Sequence, residues 1–336
     1  MSVDDNKQTF NRAMLIHQAC SMLGWGENPK EIVDKVNQLR RGLPKEDEFI
    51  ALSVWMGKCT LIHKLDQKQF PGLSRERYQA PDLFALYDFN GKNVPVLVEV
   101  KATADIKLGP FSSVYYQKLV NYANMLGLPL LVAWYIEKLN LWCLFDLERM
   151  TQKRTAFHID FQTAMNNSLL GILLDDVIIN ISRGTQVFIK IRKVPGTELR
   201  DKIDGKLQKF DGIVEDIVWL SPEGQKISMG SPLGKFLDYA FRLVGNDVTE
   251  IEDEGYVILT FSTTENENIF AHQLLGPVLA GFRTVPDTEF SWLDAIEGKK
   301  FSMDYQHVRS ASEGVKNGVV RRIIRQNPAI LPKFLQ

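Results

Sequence analysis

Residues 81–101, PDLFALYDFNGKNVPVLVEVK, determine the predicted fold because they contain two strand-like runs and the turn between them. Residues 82–89 and 94–101 are rich in Val, Leu, Phe and Tyr, and Asn90-Gly91 lies between the two runs. An Asn-Gly pair in that position is a strong short-range signal for a two-residue hairpin turn. The stretch therefore predicts an antiparallel β-hairpin.

The register of this hairpin brings two carboxylates together. If Phe89 pairs with Lys92 across the turn, counting outward along both strands places Asp82 opposite Glu99. Directly opposed side chains share a face of the sheet, with Cβ atoms ~4.5–5.5 Å apart. Lys101 lies on the same face because strand side chains alternate with a period of two. A slip of one residue would separate the carboxylates, so the prediction depends on the turn type.

Two facing carboxylates in a mostly apolar sheet repel each other unless a cation compensates their charge. Two carboxylates, a backbone carbonyl and several waters suit Mg²⁺, and Mn²⁺ is the expected substitute. Such an ion can polarise a phosphoryl oxygen and activate water, and Lys101 would stabilise the negative charge of the transition state. The predicted metal ligands in this hairpin are Asp82, Glu99 and the carbonyl of Val100, and the predicted chemistry is phosphodiester hydrolysis.

The segments around the hairpin predict a mixed α/β core. Helices are expected at 45–58 and 112–126, with Gly127 as the C-cap of the second, and strands at 129–136 and 139–145. The order helix, hairpin, helix, strand, strand is typical of a sheet that is buried on both faces.

PD at 81–82, the hairpin, and VEVK at 98–101 together resemble the core motif of the PD-(D/E)XK nuclease superfamily, which includes restriction endonucleases and archaeal Holliday junction resolvases. The likeness covers residues 45–145, and the order of elements around the motif matches as well. It implies a restriction-endonuclease-like α/β (α+β) fold, in which helices flank a mixed β-sheet. The activity it implies is that of a Mg²⁺-dependent endonuclease acting on DNA.

The resemblance adds two positions to the candidate catalytic residues. The family's first helix commonly supplies an acid that contacts the metal, and Glu48 is the choice here, with Glu46 as the alternative. Both are equally explained as negative charges favoured in the first turn of a helix. Many members carry Gln or Tyr on the helix that follows the motif; Gln117 matches that place, with Tyr116 and Tyr122 near it.

Contacts with phosphate are expected from a local basic surface, because the formal net charge of the chain is -1. The best candidates precede Asp82 in sequence, so that their loop leads directly into the predicted metal site. They are Lys64, Lys68, Arg75 and Arg77. The alternative explanation is an ordinary solvated surface.

A cross-strand salt-bridge cluster at a sheet edge is the alternative interpretation of Asp82, Glu99 and Lys101. The apolar runs beside them favour a central sheet instead, where three ionisable groups need a chemical reason. The five histidines of the chain share no metal-ligand spacing.

Three regions are predicted along the 336 residues. They are a helical N-terminal extension (1–43), the nuclease core (44–165) and a separate α+β domain for substrate or partner recognition (166–336). Within the third region the pattern predicts a second hairpin, a further strand and three helices. Their ranges are 176–181 with 186–194 for the hairpin, 256–262 for the strand, and 233–244, 268–282 and 310–326 for the helices.

Composition predicts a globular, cytoplasmic protein without a membrane span: 45% of residues are hydrophobic, 24% are charged, and the three cysteines form no CxxC pair. Cleavage of both strands of a duplex requires two such sites, which is compatible with a homodimer. A partner protein would bind through 166–336. Restriction, defence and mobile-element roles are all compatible with the resemblance. Two alternatives stay open: a nuclease-fold binding or assembly subunit without turnover, and an RNA-directed nuclease.

Overall fold

A computed structural model describes residues 45–244, 247–283 and 303–336. The chain forms two compact units, residues 1–48 and 49–336. The predicted N-terminal extension, 1–43, lies outside the described residues. Among the described helices, none is long and apolar enough to cross a membrane.

A five-stranded mixed sheet forms the centre of the second unit. Its strand order is β1-β2-β3-β5-β6, in which β3 and β5 run parallel and the other neighbours run antiparallel. The protein is therefore a mixed α/β fold, as the sequence predicts. The strands are β1 (Cys59–Lys64), β2 (Leu83–Phe89), β3 (Lys92–Thr103), β5 (Leu130–Ile136) and β6 (Leu141–Asp146). Only β1 was absent from the sequence-based prediction.

The β2–β3 hairpin has the predicted two-residue turn. Asn90 and Gly91 both adopt positive φ, 54° and 77°, as a type I′ turn requires. The amide of Gly91 donates to Asp88 Oδ1 at 2.8 Å, which fixes the turn locally. The register runs from Phe89 opposite Lys92 to the last pair of strand residues at the far end. The register prediction is confirmed.

Helices cover both faces of this sheet. On one face, Phe49 and Leu52 of α1 (Lys45–Met56) share a core with inward side chains of β2 and β3. On the other face, Leu119 and Ala123 of α2 (Ser113–Leu126) pack against the apolar side chains of β5 and β6. Gly127, at φ 66°, caps α2 as predicted.

The parallel pairing of β3 with β5 requires a crossover, which consists of β4 (Lys107–Ser112) and α2. β4 joins β7 (Thr151–Lys153) and β8 (Ala156–Asp160) in a small sheet of order β4-β8-β7. The Ser112 side chain accepts a hydrogen bond from the Tyr115 amide at 3.1 Å, so α2 begins directly after β4. The Tyr115 hydroxyl donates to Glu99 of β3, so the first turn of α2 lies close to the predicted catalytic strand.

The remaining described chain adds further helices and three sheets of five, three and two strands. The sheets have the orders β14-β13-β10-β16-β15, β17-β9-β18 and β11-β12. In chain order the elements are α3 (Phe161–Asn166), α4 (Leu170–Leu173), β9 (Val177–Ile181), β10 (Gln186–Lys193), β11 (Leu199–Arg200), β12 (Leu207–Lys209), β13 (Gly212–Leu220), β14 (Lys226–Ile227), α5 (Pro232–Val244), β15 (Asp247–Glu252), β16 (Tyr256–Ser262), β17 (Glu267–Phe270), α6 (Leu275–Arg283), α7 (Tyr305–Arg309), α8 (Ala311–Lys316) and β18 (Val320–Arg325).

The predicted hairpin of 176–181 with 186–194 is wrong. Both segments are strands, but β9 pairs with β17 and β18, whereas β10 pairs with β13 and β16. The link between them bonds to a distant segment: the Gly184 amide donates to the Thr263 carbonyl at 2.9 Å, and Thr263 Oγ1 donates to the Ser182 carbonyl at 2.8 Å. Long-range pairing thus overrides the local turn signal.

The helix predicted near 233–244 and the strand predicted at 256–262 are confirmed, but the other two helix predictions in this region need correction. The range 310–326 contains α8, a turn at Gly318 with φ 71°, and then β18, which pairs with β9. The residues of β18 include the β-branched Val and Ile that fit a pleated, half-buried surface. In the range 268–282, the first residues belong to β17 and only those from Leu275 onward form an α-helix.

The predicted boundary at residue 165 falls inside the second unit. One hydrophobic core contains Leu83 and Val98 of the central sheet together with Leu170 and Phe236 from the later segment. A buried pair joins the same regions, since His272 Nε2 accepts the Trp142 amide of β6 at 3.1 Å. The two segments therefore pack as one body, and the assignment of 166–336 to substrate or partner recognition stays a prediction.

Candidate active site

Asp82 and Glu99 lie together at the open end of the β2–β3 hairpin. Leu83 pairs with Val98, so the next residues outward along the two strands are Asp82 and Glu99. Asp82 Oδ2 accepts a hydrogen bond from the Val100 amide at 2.7 Å. The Asp82 carboxylate thus takes the place of a backbone partner at the point where the strands separate.

Glu99 is a buried carboxylate, and its two oxygens differ in their hydrogen bonding within the described structure. The residue is 1% exposed. Its Oε1 accepts hydrogen bonds from Lys101 Nζ and from the Tyr115 hydroxyl, the latter at 2.5 Å. Its Oε2 is buried and has no hydrogen-bond partner in the described structure. A buried ionised oxygen without a partner carries a large desolvation penalty, which a bound cation would remove.

Burial and charge act together on Asp82. Its pKa is raised from 3.8 to about 6, first by burial and then by the negative charge of Glu99, against opposing effects of Lys101 and the Val100 amide. Within the described residues Asp82 forms no ion pair. The two carboxylates are close enough to repel each other, and this repulsion disfavours their joint ionisation in the absence of a cation.

Lys101 points to the same face of β3 as Glu99. Its Nζ contacts Glu99 Oε1 and donates to the Val100 carbonyl at 3.1 Å. The ammonium also lies 5.7 Å from the centre of the Tyr115 ring and 5.9 Å from that of Phe111. The ion pair with Glu99 agrees with the salt-bridge interpretation, but within the described residues it leaves Glu99 Oε2 without a hydrogen-bond partner.

Tyr115, rather than Gln117, is the α2 side chain that reaches Glu99. Burial and the negative charge of Glu99 raise the pKa of the Tyr115 hydroxyl, which therefore stays protonated and donates. Gln117 is exposed and donates to Asn121 Oδ1 at 2.9 Å. Two residues along a helix turn the side chain by roughly 200°, so both cannot face the sheet. The catalytic role of Gln117 stays a prediction without a contact to support it.

The sequence alone gave little sign of Tyr115. Its apolar ring suits the core of the helix–sheet interface, where it packs edge-on against Phe111 at 5.6 Å between ring centres. The one available signal was Ser112, whose N-cap position puts Tyr115 in the first turn of α2.

The other predicted metal ligands have different surroundings. Glu48 lies in the first unit and forms an ion pair with Lys45 at 2.6 Å, so its role as a ligand stays a prediction. The Val100 carbonyl accepts Lys101 Nζ and would have to exchange that bond for a metal ion. Across the residues that the structure describes, no group of three or more His, Cys, Asp or Glu side chains could hold an ion. A cation between Asp82 and Glu99 would therefore need oxygen from backbone, water or substrate.

The four predicted phosphate-binding residues, Lys64, Lys68, Arg75 and Arg77, are all exposed. Lys64 ends β1 opposite Leu83, and its charge lowers the pKa of Asp82, so it lies near the carboxylates. The other three lie in the segment between β1 and β2. Their exposure permits contact with a ligand.

Comparison with known proteins gives limited similarity. No protein-family profile and no curated protein matches the chain. A solved structure of Hjc from Archaeoglobus fulgidus, a Holliday junction resolvase from an archaeal hyperthermophile, is similar to part of it. The match has 17% sequence identity and a TM-score of 0.29, and it covers 36% of this chain and 89% of that chain. Similarity at this level assigns neither a family nor an activity.

Proposed function

We propose that this protein is a metal-dependent endonuclease that hydrolyses phosphodiester bonds in DNA. The observation that carries the proposal is the buried Glu99 Oε2, which has no partner in the described structure although Asp82 and Lys101 lie beside it. A purely structural cluster would satisfy this oxygen or leave it in solvent.

The donor set fits a hard divalent cation. Carboxylate oxygens of Asp82 and Glu99, with water completing the shell, are ligands that Mg²⁺ and Mn²⁺ accept. An ion bound there supplies Lewis-acid polarisation of the phosphoryl group and a more acidic water. With two carboxylate ligands from the described residues, the remaining coordination positions would be open to water and phosphate oxygens.

The protein's own side chains would orient the reacting groups. Lys101 presents an ammonium on the carboxylate face, where it can stabilise negative charge that develops on the phosphoryl oxygens. Tyr115 holds Glu99 Oε1 at 2.5 Å and thereby fixes the direction of Oε2. Lys64 and Arg77 are exposed, and their positive charge would favour contact with the phosphate backbone.

A cleavage assay tests the proposal. Purified protein is incubated with supercoiled plasmid, single-stranded DNA and RNA in Mg²⁺, Mn²⁺ or EDTA, beside Asp82→Ala and Lys101→Ala. Asp216→Ala and Lys226→Ala, both exposed and outside the site, are matched controls for loss of charge. We expect cutting of DNA with Mg²⁺ or Mn²⁺, none with EDTA, and loss of cutting in the two site variants only.

Three other outcomes have defined meanings. Equal behaviour of wild type and site variants contradicts the enzyme proposal. Binding of nucleic acid without turnover in any metal selects a nuclease-fold binding or assembly subunit. Metal-dependent cutting of RNA alone selects an RNA-directed nuclease. If DNA is cut, direct linearisation of plasmid favours two cooperating sites, whereas accumulation of nicked plasmid favours one.

A further inference from the structure

An apolar loop tip lies in the segment between β1 and β2. We define the tip loop as residues 66–77. Phe70 is 80% exposed and Leu73 is 72% exposed in it. A large aromatic and a large aliphatic side chain, three residues apart and both mostly in solvent, lose hydrophobic stabilisation unless a ligand covers them.

Hydrogen bonds anchor the base of the tip loop to the candidate active site. The Leu65 amide donates to the Asp82 carbonyl at 2.9 Å. Gln67 Nε2 donates to the Pro81 carbonyl at 3.1 Å, and Gln79 Nε2 donates to Gln67 Oε1 at 2.7 Å. The two ends of the loop are thus joined directly beside Asp82.

The C-terminal end of the tip loop forms hydrogen bonds with α2, the helix that carries Tyr115. The Gln79 amide donates to the Lys118 carbonyl at 3.2 Å, and Asn121 Nδ2 donates to the Arg77 carbonyl at 3.0 Å.

Phe70 is three residues beyond Gln67, and three residues span at most about 11 Å. Since base pairs stack roughly 3.4 Å apart, the tip can reach nucleotides a few steps from a phosphate bound at Asp82.

The tip itself has a defined conformation. Residues Gly72–Glu76 form a 3₁₀ turn, in which the Ser74 amide donates to the Pro71 carbonyl at 2.9 Å. Ser74 Oγ also donates to Gln69 Oε1 at 3.3 Å. A preorganised loop loses less conformational entropy when its tip inserts into a partner.

The charges around the tip favour a polyanion. The tip loop has three basic and two acidic side chains, whereas the whole protein has a net charge of -1. The Lys68 ammonium lies 5.9 Å from the centre of the Phe70 ring, so a cation accompanies the exposed aromatic. Aromatic side chains with neighbouring cations are the combination that stacks on bases and holds phosphates.

We propose that the tip loop binds an unpaired base near the phosphate at the Asp82–Glu99 site. Phe70 stacks on this base, and Leu73 fills the space in the DNA from which the base has been displaced. This inference rests on the proposed function for the class of its partner. An unpaired base is favoured over a paired one because extrusion from an intact duplex requires a few kcal/mol. The substrate is therefore DNA with a bulge, a flap or a single-stranded segment, in preference to a perfect duplex.

Binding measured in EDTA separates this inference from cleavage. Two DNA probes of equal length are used, a perfect duplex and a duplex with one bulged 2-aminopurine, whose fluorescence falls on stacking. Wild type is compared with Phe70→Ala, Leu73→Ala and Phe70→Trp. Ile203→Ala is the matched control, because Ile203 is 96% exposed and lies between β11 and β12.

We expect wild type to prefer the bulged probe and to quench its fluorescence. Phe70→Ala should weaken binding of that probe by about 5- to 150-fold, the range for loss of one base–aromatic stack. Leu73→Ala should have a smaller effect in the same direction, Phe70→Trp should retain quenching, and Ile203→Ala should match wild type.

The inference is overturned if wild type binds both probes equally, binds neither, or keeps its affinity in Phe70→Ala. It is also overturned if Phe70→Ala alters only the sedimentation of the protein, because the tip is then a contact between protein chains. If bulged DNA is bound through Phe70 but no metal supports cutting, the inference holds and the proposed function fails. If DNA is cut normally but binding is independent of Phe70, the proposed function holds and the inference fails.

Discussion

Replacing Asp82 with asparagine is expected to stabilise the metal-free fold at neutral pH while removing metal binding. The Asp82 pKa is raised from 3.8 to about 6, so ionisation of this group opposes folding. The penalty is absent below pH 3.8, grows between pH 3.8 and about 6, and is fully present above pH 6. Asparagine keeps an oxygen that can accept the Val100 amide and introduces no charge.

The size of the effect follows from the pKa. A rise from 3.8 to about 6 corresponds to about 3 kcal/mol at 1.36 kcal/mol per pH unit. Asp82 is only partly buried, and solvent screening reduces this figure. We therefore expect Asp82→Asn to raise the free energy of unfolding by about 1–3 kcal/mol at pH 8 and by close to zero at pH 4.

Chemical denaturation followed by tryptophan fluorescence measures this difference at pH 4, 6 and 8 in EDTA. In a second series, Mg²⁺ at ten times its dissociation constant should stabilise wild type by about 1.4 kcal/mol and the variant far less. Asp216→Asn, at an exposed position, is the control for loss of one charge. Two results would refute the claim that ionisation of the buried Asp82 destabilises the metal-free fold. One is a variant no more stable than wild type at pH 8, and the other is a stability difference that does not grow between pH 4 and pH 8.

Three further predictions concern neighbouring groups. Lys101→Met should lower the single-turnover cleavage rate at least about 100-fold, because it removes the ammonium that stabilises the transition state, and leave binding of DNA in EDTA unchanged. Tyr115→Phe should raise the Mg²⁺ concentration that gives half-maximal cleavage by about tenfold, since it removes a hydrogen bond to the charged Glu99. His272→Ala should lower the free energy of unfolding by about 1–3 kcal/mol in denaturation experiments, because it removes the imidazole that pairs with the buried Asp176 Oδ2 at 2.8 Å and keeps only the backbone amide that donates to Oδ1.

Each of these has a contradicting result. A Lys101→Met protein that cuts normally would exclude the ammonium from the chemistry, and equal loss of DNA binding would assign it to the interface instead. Unchanged Mg²⁺ dependence in Tyr115→Phe would mean that the hydroxyl does not position Glu99. An unaltered unfolding midpoint in His272→Ala would show that the pair contributes nothing to the core; His307→Ala, at a site outside that core, is the control.

The sequence by itself determined the centre of the protein. Asn90-Gly91 favours a type I′ turn, which has positive φ at both positions, and that turn sets the hairpin register. Because side chains alternate along a strand, the register also decided that Asp82, Glu99 and Lys101 would lie on one face. These inferences depend on neighbours in the chain, and local geometry is sufficient for them.

Tertiary structure decided the features that depend on distant partners. β9 and β10 have the sequence pattern of a hairpin, yet each pairs with other strands. A strand is stabilised by the neighbouring strand and the hydrophobic core against which it packs, and these can be distant in sequence. The choice of Tyr115 over Gln117 follows from how α2 is rotated on the sheet, which packing alone sets. The sequence likewise could not predict that Glu99 Oε2 has no hydrogen-bond partner within the described structure. That feature depends on every group that packs around this oxygen.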